Sequence, residues 1–472
     1  MTTNRSILSH FASKVVGSAA GFATTFVIAR VLGADVLGIY ALAQSVIVWM
    51  VVPAWGVSKA TEKYISEGEN QGAYLSTSFL LSALSVGVVG GLLIAFSGYV
   101  SAYVGADVTL LIVVLVATTI GFDTAGAVLK GEKQVSKYGW LTTTRTVLQA
   151  AFQILFVVLG FTITGLLVGH AAALVVVTLG ALWLLRTRPT MPDVRDVRHI
   201  LNFARFSWMG GFKSKTFGWM DTLVLGFFAT SSLIGVYEVA WTLSAFLVLA
   251  SDSIRDVMFP QFSELSSKDA NSRITSALET SVQYTGIIII PGFFGALIIG
   301  PRLLKIYSPE FVVGSTVLTI LILAQIFEVY GSQFVDVLNA VKRPDAAFRT
   351  NAVFTVTNLS LNVVLISQFG WTGAAVATLL SSVLTLLLGY YYLSEVLDTI
   401  RIPLEELGRQ VVSAVVMTGF VYLLEALVGP SHVETVLIVF AGAIFYMTIL
   451  VIISAKVRQD VRQLLGNLSI PV

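Results

Sequence analysis

MGGFKSKTFGWMDTLVLGFFATSSLIGVYEVA, residues Met209 to Ala240, is apolar enough to lie in a bilayer, yet it carries Lys213, Lys215, Asp221 and Glu238 along its length. An ionised group left facing lipid at mid-bilayer costs about 2.5–3.5 kcal/mol on insertion scales, so four of them in two adjacent spans require a polar place to point. The stretch therefore predicts a water-filled cavity and, around it, a membrane transporter.

The rest of the chain is of the same kind. Of its 472 residues 56% are hydrophobic and only 12% charged, with a mean hydropathy of +0.85. Soluble domains carry about 25% charged residues, so this is a polytopic membrane protein. Without cysteine it has no disulfides, thiol catalysis or thiolate metal sites. The four histidines, His10, His170, His199 and His432, are too scattered in sequence to suggest a metal cluster, and no metal or other cofactor is expected. The net charge of +2 says little about partners, and the basic residues are spread over many short loops, not gathered in one stripe, so no nucleic-acid partner is expected.

Apolar runs long enough to cross a hydrocarbon layer of roughly 30 Å as helices recur from end to end. Fourteen are readable, at approximately 7–32, 36–58, 75–97, 107–129, 138–160, 163–186, 206–230, 233–258, 277–300, 312–340, 347–368, 371–393, 409–428 and 433–455. The first is not read as a cleavable signal peptide, because Lys14 interrupts it and the apolar stretch continues to Leu32, past Ser18-Ala19-Ala20. Taking alternate ends, 22 of the 29 Lys and Arg fall on one side, including Lys59, Lys130, Arg195, Arg198 and Arg255. Three, Arg30, Arg302 and Lys305, fall on the other; Lys14, Arg145, Lys213 and Lys215 lie within spans. The positive-inside rule then puts both termini of a multi-pass cell-membrane protein in the cytoplasm.

The polar segment 187–205 follows six spans and looks like a linker between lobes. Val194, Val197, Leu201 and Ala204 recur there at helical spacing, which suits either a helix on the cytoplasmic leaflet or a solvated connection. A weak repeat supports two lobes: Leu37-Gly38-Ile39-Tyr40 recurs as Ile234-Gly235-Val236-Tyr237, offset 197, and Thr164-Gly165 recurs as Thr372-Gly373, offset 208. Two matches in one order favour a duplicated six-span unit, a common transporter design. The expected organisation is an N-terminal lobe 1–186, the linker, a C-terminal lobe 206–393, and an appended helix pair with its tail over 394–472. Pro53 and Pro291-Gly292 are candidate kinks, while Gly17-xxx-Gly21 and Gly165-xxx-Gly169 suit close helix packing.

Polar residues inside spans share faces. Gln325, Glu328, Ser332, Asp336 and Asn339 step at helical intervals, as do Asn351, Thr355, Asn358 and Asn362; Thr142, Arg145, Gln149 and Gln153; and, with Ala245 and Leu249 between them, Glu238, Thr242 and Asp252. Such faces can line a lumen, although Asn and Thr stripes, above all the one in span eleven, also serve as plain interhelical hydrogen bonds. Lys213, Lys215 and Arg145 are candidate binders of an anionic ligand, phosphate above all, with Lys14 joining them near the cytoplasmic mouth. Asp221 stands two turns from Lys213 and is also readable as a structural ion-pair partner. With Glu238, Asp252 and Asp123 it forms the set of candidates for a coupling proton or sodium ion.

The chain resembles the polysaccharide-exporting flippases of the multidrug, oligosaccharidyl-lipid and polysaccharide exporter superfamily. The resemblance rests on Ile28-Ala29-Arg30-Val31-Leu32-Gly33 with Gly38-Ile39-Tyr40, on Asp221-Thr222 with Gly226 and Gly235-Val236-Tyr237, on Phe259-Pro260, and on Leu361-Asn362 leading to Phe369-Gly370-Trp371-Thr372-Gly373. It implies an all-α, two-lobe fold with about fourteen spans, a central cationic cavity, and alternating access for a lipid-linked oligosaccharide. Where related lipid II flippases carry an Arg-Asp pair this chain has Thr24-Thr25, which argues against a peptidoglycan precursor as cargo.

On this reading a polyprenyl phosphate or pyrophosphate binds the cations, the sugars occupy a hydrated lumen, and the protein is a monomeric carrier and no enzyme. No Walker A motif is present, so energy must come from an ion gradient or from consumption of cargo outside. An ion-coupled exporter of small drugs also fits the polar stripes. A membrane glycosyltransferase or polymerase fits less well, because the outer loops are short and their carboxylates are widely separated.

Overall fold

The gap between the first two apolar runs falls at Gly33, whose φ of 81° and ψ of 177° are non-helical and open to glycine without strain. In the computed structural model two helical arms meet there as α1 (Thr2–Glu67). The structure describes residues 2–207, 211–268, 271–429 and 431–468, with side chains from Val16 to Gln463 except Phe206, Ala250 and Asn271. The 52-residue part of α1 from Val16 to Glu67 contains a strongly apolar window. At 1.5 Å per residue it is about 78 Å long, enough for two crossings.

The remaining elements are α2 (Gln71–Ala95), α3 (Ser97–Val104), α4 (Thr109–Gly131), α5 (Val135–Val158), α6 (Ile163–Leu184), α7 (Val194–Ser207), α8 (Phe212–Leu225), α9 (Ser231–Phe246), α10 (Leu249–Ser267) and α11 (Asn271–Tyr307). After a 3-10 turn at Pro309–Gly314 come α12 (Ser315–Ala340), α13 (Pro344–Phe369), α14 (Trp371–Ser394), α15 (Leu404–Leu427), α16 (His432–Ile453) and α17 (Ala455–Leu468). Every described element is a helix, and the chain is an all-α polytopic membrane protein.

Eleven described helices are long and apolar enough to span a membrane, or twelve if the bent pair α9 and α10 counts as one crossing. The fourteen apolar runs are not recovered one for one. Two of them are the arms of α1, α8 has only 14 residues, and the run at 233–258 is broken where α9 and α10 meet at 49°.

By packing, the chain divides into two compact units, Met1–Glu238 with Asn362–Trp371, and Val239–Leu361 with Thr372–Val472. These units divide the chain differently from the six-span repeat, since α8 and the first half of α9 pack with the N-terminal helices. In the first unit α4 is the central helix. Its Ile112, Leu115 and Val116 pack with Leu167 and Leu174 of α6 and with Ala43, Ile47 and Val51 of α1. In the second, Ile289 and Ile290 of α11 pack against Ala414 and Met417 of α15 and Tyr446 of α16. On α2, Leu80, Leu84, Val88 and Leu92 form an exposed apolar stripe at four-residue spacing, suited to acyl chains.

Two glycines bring backbones together in the first unit. A Cβ on Gly38 would lie 1.8 Å from the Ser231 carbonyl oxygen, and one on Gly235 would lie 1.9 Å from that of Ala34. Gly38 and Gly235 are partners in the internal repeat, and Ala34 and Ser231 stand at the same offset, so the contact is reciprocal. Ser231 Oγ also donates to Asp35 Oδ1 beside it.

Other small residues behave differently. Gly165 and Gly169 do pack tightly, on Phe161 and on the Gln153 backbone. Gly17 and Gly21 face open space, so the expected close approach is absent there. Helices α1 and α11 continue through Pro53 and Pro291, and Gly292 accommodates Leu247 at 2.7 Å from its would-be Cβ. Proline removes only one ladder bond, and neighbouring helices hold the rest of the course.

The linker is structured. Residues 187–193 lead into α7, whose Ile200 and Val197 join Val57, Tyr64 and Tyr74 in a small apolar cluster. The Ala204 carbonyl lies 2.5 Å from where Gly56 would carry a Cβ. Of the face read from sequence, Ala204 is buried while Val194 and Leu201 stay exposed.

Because the atoms that oppose Gly38 and Gly235 are backbone, a methyl group there cannot be absorbed by rotamer changes. Gly38→Ala or Gly235→Ala is expected to cost at least the 1–3 kcal/mol or so typical of overpacking. Gly98→Ala, which would meet open space, is expected to leave stability within about 0.5 kcal/mol. Thermal unfolding in detergent checks the contrast.

Candidate functional site

Helical periodicity on α1 places Tyr40, Gln44, Val48, Val51 and Trp55 along one face, which opens onto a cavity of about 390 Å³ inside the first unit. From α5 come Arg145, Gln149 and Gln153, at steps of about one turn, with Thr146 beside Arg145. Asp123 arrives from α4, His170 from α6, Lys215 and Trp219 from α8, and Glu238 from α9. Four of the charged residues singled out in the sequence, Asp123, Arg145, Lys215 and Glu238, thus share one chamber.

The two cations of the chamber are not neutralised by ion pairs among the described residues. Lys215 Nζ lies 5.4 Å from the centre of the Trp55 ring, and the Arg145 guanidinium carbon 5.6 Å from that of Phe122. Both are cation–π arrangements. Arg145 Nε is buried without a hydrogen-bond partner. Aromatic faces hold such cations in place without cancelling their charge, which leaves them able to meet an anion.

Further along, Gln153 Nε2 donates to Tyr40 Oη at 2.8 Å and to the Leu166 carbonyl at 2.9 Å, and Gln149 Nε2 to Tyr40 Oη at 3.3 Å. Gln44 Nε2 and His170 Nδ1 are 3.1 Å apart. Thr24 and Thr25 also line the chamber, and Thr24 donates to the Ala20 carbonyl within its own helix.

The other sequence candidates lie elsewhere. Lys213 is not part of the chamber lining. Lys14 is in α1, outside the residues whose side chains are described. Asp221 is buried, 3% exposed, and accepts hydrogen bonds from Tyr237 Oη and from Asn362 Nδ2, the latter at 2.8 Å. Asp252 sits 3.6 Å from Arg255 in the second unit. Arg255, counted with the loop cations from sequence, is inside α10, where its Nη2 meets Asp336 Oδ2 at 2.8 Å and its Nε meets the same oxygen at 2.9 Å.

The polar stripes divide in the same way. Much of the α5 stripe is wet: Arg145, Gln149 and Gln153 face the chamber. On α13 the stripe is a set of hydrogen bonds, Asn358 to Thr378 Oγ1 at 3.3 Å and Thr355 to the Asn351 carbonyl at 2.9 Å. On α12, Gln325, Glu328 and Ser332 are buried, and Ser332 donates to Glu328 at 2.7 Å. Sequence reasoning did not single out Trp55, Trp219, Tyr40 or Gln44 for the site. For Tyr40, Gln44 and Trp55 the one available signal was the 40-44-48-51-55 spacing on α1; Trp219, on α8, had none.

What these features define is a multi-pass helical membrane protein with a charged chamber lined by residues of its first helical unit. Its fold is that of a solved lipid II flippase, MurJ, in an inward closed conformation, with a TM-score of 0.81 at 15% identity over 94% of this chain and 98% of that one. It is also similar to an inward-facing multidrug resistance MATE family transporter of the MOP superfamily, with a TM-score of 0.68 at 14% identity over 82% of this chain and 96% of the other.

The chain belongs to the polysaccharide biosynthesis protein family, whose description matches residues 27–310. Two relatives from Haloferax volcanii are each 30% identical to it. One, a probable low-salt glycan biosynthesis flippase, Agl15, aligns over 95% of this chain and 96% of its own length. The other, the probable flippase AglR, aligns over 97% of each.

The Arg255–Asp336 pair is part-buried, so losing one member removes a shielded charge–charge contact from the other. Arg255→Met is expected to destabilise the protein by about 1–3 kcal/mol, and Arg255→Met with Asp336→Met to recover most of that loss. Thermal unfolding of the two single variants and the double variant reads the coupling directly.

Proposed function

We propose that this protein is a flippase that carries a polyprenyl-phosphate-linked oligosaccharide from the cytoplasmic to the outer leaflet of the cell membrane by alternating access, for a cell-surface polysaccharide or for protein glycosylation. The observation that carries the reading is the pair of cations, Arg145 and Lys215, that share a chamber without an ion-pair partner among the described residues. Asp123 and Glu238 share the chamber, but among the described residues neither is within ion-pair distance of these cations, so the N–H groups of Arg145 and Lys215 can meet a phosphate or pyrophosphate, whose usual protein partners are guanidinium and ammonium groups. The full-length relatives named as flippases support the same cargo class.

The energetic need is plain. A phosphate and several hydroxyls cannot pass unaided through hydrocarbon, since each polar group stripped of hydrogen bonds costs several kcal/mol and an unpaired ion far more. A chamber that replaces water around the head group lowers this barrier while the prenyl tail stays in lipid. Transport of this kind makes and breaks no covalent bond, so the protein is a carrier and not an enzyme.

Asp123 and Glu238 share the chamber and are the carboxylates best placed to exchange a coupling proton or sodium ion against the cargo; Asp221 and Asp252 are secondary candidates. The protein acts as a monomer with both termini in the cytoplasm, as the loop cations indicate.

Lys215→Ala and Arg145→Ala are each expected to lower export at least about tenfold, the cost of one charge-assisted contact. Lys213→Ala, outside the lining, is expected to cost less. The measurement is the leaflet distribution of lipid-linked glycan in cells with normal protein levels. Unchanged export in both chamber variants would refute the reading.

A further inference from the structure

We propose that the end of the chamber nearest the α1 break is a saccharide subsite, where Tyr40, Gln44, Gln149, Gln153 and His170 read the sugar ring attached to the carrier phosphate. The inference rests on the flippase reading above and adds where along the chamber the glycan is recognised.

The chamber is polarised along α1. Tyr40 and Trp55 are fifteen residues apart on one helix face, about 22 Å at 1.5 Å per residue. Lys215 sits beside Trp55. Gln149 and Gln153 sit beside Tyr40. Arg145 is one turn before Gln149 on α5 and lines the same chamber.

Hydrogen-bond accounting shows what the amide end lacks. Tyr40 Oη already accepts two N–H groups, so its own proton is left to donate. If Gln44 donates to His170 Nδ1, the imidazole carries its proton on Nε2, a second donor. Gln153 is wholly buried and lines the chamber, yet its Oε1 has no hydrogen-bond partner. A buried amide oxygen without a donor is costly to maintain. Neutral donors alternating with a vacant acceptor match a ring of vicinal hydroxyls, each of which donates and accepts. They match a phosphate poorly, because it can only accept.

Volume limits the occupant. At about 390 Å³ the chamber is near the lower end of the roughly 300–1,000 Å³ that hold a small ligand. That is room for a phosphate and the first ring, and sugars beyond the first would extend out of it.

The test compares binding of farnesyl phosphate with that of farnesyl-phosphoryl-glucose, -mannose and -galactose to the purified full chain in detergent, by calorimetry. At least one hexosyl lipid is expected to bind about tenfold more tightly than farnesyl phosphate, as one or two added hydrogen bonds allow. Gln44→Leu and Gln149→Leu are expected to reduce that advantage to within about twofold while leaving farnesyl phosphate affinity intact, which also reports that the chamber is folded. Tyr40→Phe, which removes only a hydroxyl, provides a second and milder variant with the same expected direction. Lys215→Ala is expected to weaken all four ligands alike.

If no hexose advantage exists in the unaltered chain, or if it survives these substitutions, the saccharide subsite is overturned and the flippase reading stands. If the unaltered chain binds none of the lipid phosphates, the flippase reading falls and the subsite falls with it.

Discussion

Ionised side chains in a bilayer need an environment other than lipid, and the first unit of this protein is arranged to supply one. Arg145, Lys215, Asp123 and Glu238 come from α5, α8, α4 and α9, yet all open onto one chamber. Removing that chamber would expose four charges to hydrocarbon, at a cost comparable to the whole net stability of an ordinary domain. The chamber and the helices that wall it are therefore a single energetic unit, and the apolar core around α4 holds those walls in place.

Inside the chamber the means of holding each group differ with its chemistry. The cations lean on aromatic faces, which position them without cancelling their charge. Gln149 and Gln153 both donate to Tyr40, and Gln44 is hydrogen-bonded to His170. In the second unit Arg255 is locked by Asp336, an arrangement that fixes helices and leaves little charge to offer a ligand. An arginine against a phenyl ring and an arginine against a carboxylate look alike in sequence, and only the partner distinguishes a ready binding group from a structural one.

Much of the architecture was legible from residue order alone. The gap between runs 7–32 and 36–58 is the Gly33 break, and the apolar runs at 75–97, 107–129, 138–160 and 163–186 match α2, α4, α5 and α6. The α5 stripe pointed to the chamber because Arg145, Gln149 and Gln153 have no other plausible use at mid-membrane. The α13 stripe had the same periodicity but serves packing, since period reports a shared face and not what that face meets. Gly17 and Gly21 misled for a related reason: small residues permit close approach but do not supply a partner. The 49° bend between α9 and α10 was hidden because hydropathy is blind to axis direction. The contribution of Trp55 and Tyr40 depended on tertiary neighbours more than a hundred residues away.

The crossing at Gly38 and Gly235 has one more consequence. Each glycine meets the residue four places before its counterpart, so within the first unit the two repeat segments contact each other reciprocally. Joined in one polypeptide, the two halves are free to diverge, and they have: Ser231 stands opposite Asp35 on one flank, where Ala34 on the other offers no hydroxyl. A self-complementary seam has thereby become asymmetric, with a hydroxyl–carboxylate hydrogen bond on the Ser231 flank.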